Sequence, residues 1–211
     1  VTVADGGEER RTVCTEMEDL ADFCVPSAPA ALLKCALLSI GIVSFDKARP
    51  RSGGGGGGGG ALHTTTLAEQ LDACPGLGAK GRRGLEIRSW SNLPKGSGLG
   101  TSSILAAALI AAAGRGAGIH LTNETIVHAV MLAEQLLTTG GGWQDQVGGV
   151  YPGAKIARSA ARLPLKVDCE PVQLPEGFAD VLGKHIVLIY TGRARLARNL
   201  LQNVIRRWYA R

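Results

Sequence analysis

Large side chains are scarce in this chain. Phe, Trp and Tyr together make up 4% of its 211 residues, and there are two Met. A core short of aromatics must close on Ala, Leu, Ile and Val, which favours small-residue helices packed closely. Long apolar runs are missing too. The longest, Ile104 to Ala113, is well short of the roughly 20 residues that a membrane-spanning helix needs, so no membrane partner is expected. No charged and apolar leader opens the chain. Val1 stands where a start Met would, which leads us to expect a piece of a longer protein. The cysteines (Cys14, Cys24, Cys35, Cys74, Cys169) are odd in number and include no Cys-x-x-Cys pair. This excludes a disulfide frame or zinc ribbon and predicts reduced, mostly buried thiols in a cytoplasmic protein. Acids are missing from Val181 onward, where six Arg and one Lys remain, whereas Val1 to Asp22 holds seven acids. No aromatic–basic stacking pattern of the kind a nucleic-acid surface uses accompanies these basic residues, so no nucleic-acid partner is expected. The basic end reads as a solvated helix face, or as a positive field turned toward an anionic ligand.

What the chain does have is glycine, 30 in all, and its placement is informative. Leu85 to Trp90 alternates apolar and polar side chains and reads as a strand. Ile104 to Ala113 is a Gly- and Pro-free apolar block stopped by Gly114, and reads as a buried helix with a glycine C-cap. Between them runs Leu93-Pro-Lys-Gly-Ser-Gly-Leu-Gly-Thr-Ser-Ser-Ile104. Gly96, Gly98 and Gly100 let backbone N–H groups converge without interference from Cβ atoms. The helix N-terminus adds unpaired donors and partial positive charge. The stretch is an anion cradle, and a nucleotide phosphate is the expected anion. Two common fingerprints do not fit. A dinucleotide loop needs a third glycine where Thr101 stands, and a P-loop needs a Lys after Gly100.

In chain order, Val1 to Thr15 predicts an edge hairpin turning at Asp5-Gly6-Gly7. A helix is predicted over Ser27 to Ile42, capped by Ser27 with Pro29 in its first turn. Gly53 to Gly60 is an unbroken run. Poly-Gly loses the most backbone entropy on folding and buries no side chain, so about 49–60 is expected to be a disordered insertion. Ala61 to Ala73 predicts a short helix. Thr122 or Asn123 caps another, about Glu124 to Leu137, with an apolar stripe of Ile126, Val130, Ala133 and Leu137. Strands are expected at Lys155 to Arg158 and Leu163 to Leu174, then a short helix at Glu176 to Leu182. Ile186 to Tyr190 is wholly apolar and reads as a central buried strand. Ala194 to Tyr209 predicts an amphipathic helix that buries Leu196, Leu200, Leu201, Val204 and Trp208.

Two acids stand out. Glu134 falls near a helix C-terminus, where the dipole disfavours an anion unless a cation or donor answers it. The alternative is a solvated surface side chain. Asp145 lies in a loop, Thr138-Thr-Gly-Gly-Gly-Trp-Gln-Asp-Gln-Val-Gly-Gly149. Glycines there admit a ligand to the backbone, and Trp143 offers an apolar wall of the kind that packs on a sugar ring. Asp145 is the natural candidate for a base accepting a hydroxyl proton. The alternative is an Asx-turn acid.

The string Pro94-Lys-Gly-Ser-Gly-Leu-Gly-Thr-Ser-Ser103, with Glu134 and the Asp145 loop after it, resembles the GHMP small-molecule kinases. The resemblance implies an α+β fold whose N-terminal domain holds a left-handed βαβ unit, followed by a second α+β domain. Here 1–160 would be the ATP-binding domain and 161–211 the incomplete start of the next. It implies ATP and Mg²⁺ as cofactors. Pro94, Lys95, Gly96, Ser97, Gly98, Leu99, Gly100, Thr101, Ser102 and Ser103 would hold the ATP phosphates. Ser102 and Glu134 would share Mg²⁺, and Asp145 would be the catalytic base. Gly141, Gly142, Trp143 and Gln144 would touch a monosaccharide substrate. The Gly-Gly-Trp-Gln-Asp-Gln stretch and Arg195-Leu-Ala-Arg-Asn-Leu-Leu201 are most similar to family members that phosphorylate the anomeric hydroxyl of L-fucose, and also to bacterial heptose kinases. The family's acid-containing Gly-Gly sugar motif and its closing Gly-rich motif are expected before Val1 and after Arg211. The alternatives are a kinase for another sugar, such as a heptose phosphate, and a nucleotide-binding segment without catalysis.

Overall fold

The computed structural model describes residues 2–5, 8–48, 65–77, 84–93, 98–138, 141–189, 203–204 and 206–210. The poly-Gly run and Pro94 to Ser97 lie outside them. Strands β1 (Thr2–Asp5) and β2 (Glu8–Arg11) form the predicted hairpin, with Thr2 opposite Arg11 and Asp5 opposite Glu8. A 3₁₀ segment, Met17–Cys24, follows. Asp19 starts it by accepting the N–H groups of Thr15 (2.6 Å) and Glu16 (3.0 Å).

Helix α1 covers Ala31–Ser39, later than the expected start at Ser27. A residue before proline avoids the helical region, so Ala28-Pro29 holds the chain in a turn, and the helix begins only after Ala30. It ends at Gly41, which has φ +70. Helix α2 (Phe45–Ala48) is one turn. Helix α3 (Leu67–Asp72) opens on a capping box in which Thr66 and Glu69 satisfy each other's N–H groups.

Strand β3 (Arg88–Trp90) then lies parallel to β1, Thr2 beside Arg88 and Ala4 beside Trp90. The sheet order is β2-β1-β3, so β1 is the middle strand and β2 alone holds the predicted edge. Helix α4 (Thr101–Gly116) runs beyond the expected stop at Gly114. The left-handed residue is Gly118 (φ +74), and Ile119 N–H closes the end on Gly114 O at 2.8 Å. Gly114 is instead a packing residue, since a Cβ there would meet Leu121 Cδ1 at 2.5 Å.

Helix α5 (Asn123–Leu136) is capped by Thr122, whose hydroxyl accepts from Thr125 N–H at 3.2 Å. Helices α1, α4 and α5 close one core around Cys35, Ala106, Ile110, Val130 and Ala133. A second core joins the 3₁₀ segment, α3 and the end of α4 around Leu20, Val43, Leu71 and Ala117. Burying Ile110 fully contributes roughly 2–3 kcal/mol. The small residues of α4 let its neighbours approach closely, and the loop after α3 comes nearest. A Cβ on Gly76 would stand 2.1 Å from Gly116 O and 2.7 Å from Gly118 N, both backbone atoms. Gly76→Ala is therefore expected to cost about 1–3 kcal/mol. A urea midpoint equal to that of the unmutated chain would contradict this close approach.

Helix α6 covers Gln144–Val150. Beyond it, β4 (Lys155–Ser159) and β5 (Val167–Pro171) form an antiparallel hairpin, and α7 spans Phe178–His185. The whole is α+β. None of residues 152–189 is fully buried. The apolar run Ile186 to Ile189 is not the central strand that its composition suggests, for Val187, Leu188 and Ile189 are 81%, 82% and 79% exposed. Such a run becomes a buried strand only where neighbours pair its edges, and no described strand flanks it. Val204 and Trp208 are likewise exposed rather than buried. All five cysteines are free, with only Cys35 and Cys74 buried and Cys24 exposed. Burial pushes the Cys35 thiol up to about 11. Among the described residues no helix is long and apolar enough to cross a membrane.

Candidate functional site

The turn between β3 and α4 is built on two left-handed glycines, Gly98 at φ +78 and Gly100 at φ +66. Gly100 is the N-cap of α4, and no side chain caps the helix from that position. A Cβ on Gly98 would find open space. The first turn of α4 thus presents backbone donors beside an uncrowded backbone, as anion binding requires.

Helical spacing then sorts the hydroxyls. Ser103 lies on the buried face with Ala106, Ala107 and Ile110, whereas Ser102 is exposed and Thr101 half-buried. The Ser103 hydroxyl donates to Glu134 Oε1 at 2.5 Å. Glu134 sits in the last turn of α5 and is only 7% exposed, so it is not a solvated surface residue. Gln146 Nε2 donates to its other oxygen, Oε2, at 2.8 Å. The anion at a helix C-terminus is thus answered by donors on both carboxylate oxygens. Burial still raises the Glu134 pKa above its ordinary value. The Ser103 hydrogen bond opposes that rise, the charge of Asp145 adds to it, and the Gln146 bond opposes it.

The segment read as a glycine loop is partly helix. Gln144 to Val147 supply a first turn that two glycines alone could not, and Gln146 and Val147 anchor it in the core. Gly149 then sits so close to α4 that a Cβ would meet Ile104 Cγ1 at 2.6 Å. Asp145 falls in the first turn of α6 and is exposed. Its carboxyl lies against the α4 N-cap, since a Cβ on Gly100 would be 3.2 Å from Asp145 Cγ and 3.5 Å from Oδ2. Gly141, Gly142 and Gln144 are exposed beside it and Trp143 is half-buried. A Cβ on Gly141 would stand 3.7 Å from Glu134 Oε2. Two acids, a helix N-terminus and a glycine turn therefore converge. Sequence reasoning did not find Gln146, whose burial depends on the turn being helical.

Residues 64–153 match the family described as GHMP kinases N terminal domain. These residues belong to the GHMP kinase family. The GHMP kinase domain contains every element of the site, from β3 through the Gly98–Gly100 turn and α4 to Glu134, Asp145 and Gln146. The chain is 41% identical over 128 residues to the bifunctional fucokinase/GDP-fucose pyrophosphorylase of Arabidopsis thaliana, a match covering 61% of this chain and 12% of that protein. It is 34% identical over 199 residues to the L-fucokinase/L-fucose-1-P guanylyltransferase of Bacteroides fragilis, covering 92% of this chain and 18% of that protein. The chain thus spans less than one fifth of the length of either relative. No solved structure matches it significantly.

A magnesium ion suits the residues of the GHMP kinase domain that meet here. Mg²⁺ takes one or two carboxylates and completes its shell with waters and substrate phosphates. The site offers hard oxygen donors, a buried Glu134 and an adjacent Asp145. Among the described residues there is no cluster of three or more acids, His or Cys that would make an all-protein cage.

Proposed function

We propose that the chain is the nucleotide-binding part of an ATP-dependent sugar kinase that phosphorylates the anomeric hydroxyl of L-fucose, giving fucose 1-phosphate. The observation that carries this reading is the meeting of Asp145 with Gly100 at the open N-terminus of α4. It brings a proton acceptor to the edge of an anion cradle. Phosphoryl transfer asks a protein mainly for positioning and charge neutralisation. Residues 94–103 and the α4 N-terminus hold the phosphates. Ser102 and Glu134 hold Mg²⁺, which supplies neutralisation of the phosphate oxygens. Asp145 orients the sugar hydroxyl and takes its proton. Gly141, Gly142, Trp143 and Gln144 form the adjoining sugar wall. The names of the two relatives support fucose as the sugar. The ATP-binding domain would reach about residue 160, with 161–211 beginning the next, in a protein of the cytoplasm.

The test is at Gly98. Its positive φ and open surroundings suit a ligand approaching the backbone, so Gly98→Val strains the turn and fills that space. Calorimetric titration with ATP and Mg²⁺ is expected to show at least a tenfold loss of affinity. ATP affinity unchanged by the substitution would remove the cradle from the proposal.

A further inference from the structure

Gln146 is the least exposed polar side chain near the site, at 1%. Its Nε2 is used on Glu134. Its Oε1 is buried with no hydrogen-bond partner. The amide cannot be turned to hide this, because a carboxylate oxygen only accepts, and it would then face another acceptor. A buried acceptor without a partner is costly, on the order of 1–3 kcal/mol, and native folds leave few of them. We infer that Gln146 is a positioning residue that sets which divalent cation the site prefers, an inference resting on the reading of Glu134 as a cation ligand.

The argument is about rigidity. Ser103 and Gln146 donate to opposite oxygens of Glu134, so the carboxylate cannot rotate about its last bond without breaking both. Mg²⁺ demands near-ideal octahedral geometry and keeps several of its waters, whereas Ca²⁺ accepts flexible and bidentate carboxylates. A pinned carboxylate favours the smaller ion. The unpartnered Oε1 of the same amide gives an acceptor for the hydrogens of a water that such an ion retains. Partners that orient a ligating side chain from behind typically hold 10–100-fold of metal affinity.

The test measures the affinity of the chain for the β,γ-imido analogue of ATP in Mg²⁺, in Ca²⁺ and in EDTA. The chain itself, Gln146→Met and Glu134→Gln are compared. The unmutated chain is expected to bind the analogue more tightly in Mg²⁺ than in Ca²⁺. Gln146→Met is expected to lose roughly tenfold in Mg²⁺, little in Ca²⁺ and nothing in EDTA, so the preference collapses. An unchanged Mg²⁺-to-Ca²⁺ ratio in Gln146→Met, with Glu134→Gln blind to both ions, overturns the inference and leaves Glu134 as ligand. If Glu134→Gln responds to Mg²⁺ as the unmutated chain does, or if that chain shows no metal-dependent binding, the underlying reading fails and this inference with it. Should circular dichroism show Gln146→Met unfolded, Ser103→Ala removes the other donor. It is expected to narrow the ratio in the same direction, and an unchanged ratio there is equally fatal.

Discussion

In the protein expressed with its native flanking sequence, Asp145→Asn is expected to lower kcat for sugar phosphorylation by roughly 10²-fold or more, with the ATP KM within a few-fold of its former value. The proposed role puts the acid to work in the transition state rather than in binding. Its carboxyl stands beside the N-cap of α4 and is exposed to an incoming hydroxyl. The Asn side chain has the same shape and can still accept a hydrogen bond, so ground-state contacts survive. What it cannot do is take the proton as the oxygen attacks. A loss confined to kcat, with kcat/KM falling equally, is the signature of an interaction made only in the transition state. If the affinity for Mg²⁺-ATP falls instead and kcat holds, Asp145 works with the metal and not as the base. Full turnover by the variant would leave the chain as a nucleotide-binding unit without this catalytic group.

The parts of this site that were legible in the sequence are those fixed by local chemistry. Alternation before the turn, glycines within it and an uninterrupted Ala-Leu-Ile block after it announce β3, the turn at Gly98 and Gly100, and α4. Thr122 announced α5 because a capping hydroxyl is read within one turn. The face of Ser103 was also open to reading, since it shares helical spacing with Ala107 and Ile110. The positions that eluded sequence reasoning depend on contacts across the fold. Gln144 to Val150 looked like a loop because its glycines suggest one, yet Gly149 is there to let α6 approach Ile104. Glu134 could be placed at a helix end, but its burial follows from α4 and α6 meeting over it. Ile186 to Ile189 shows the reverse error. Its composition satisfies a buried strand, and the described neighbours do not supply one. The cysteines followed the same rule, with Cys35 and Cys74 buried by the helices around them and Cys24 left exposed where the 3₁₀ segment ends.

Glu134→Gln is expected to separate stability from function most sharply. Without ligand, the substitution should raise the melting temperature at pH 7, by about 2–4 °C for each kcal/mol gained. The reason is the cost of holding an ionised carboxylate 7% exposed in the core. That cost appears as the raised pKa, caused first by burial. A carboxyl whose folded pKa lies above its unfolded value binds its proton more tightly in the fold. Its contribution to stability is therefore most favourable below the unfolded value near 4.5, and it is lost as pH rises through the folded pKa. At pH 7 the full penalty is present. The amide removes it, and its oxygen keeps the Ser103 hydroxyl while Gln146 turns over so that its Oε1 accepts from the new N–H in place of the lost donation to Oε2. The advantage over the unmutated chain should accordingly shrink as pH falls and disappear below about pH 4. The same exchange removes the charge on which the proposed cation depends, so Mg²⁺-dependent nucleotide binding should be lost as the fold gains. Thermal melts from pH 4 to pH 8 decide the first half. A lower melting temperature at pH 7 would mean that the hydrogen bonds to the carboxylate outweigh its desolvation, and that Glu134 is held for the fold rather than against it.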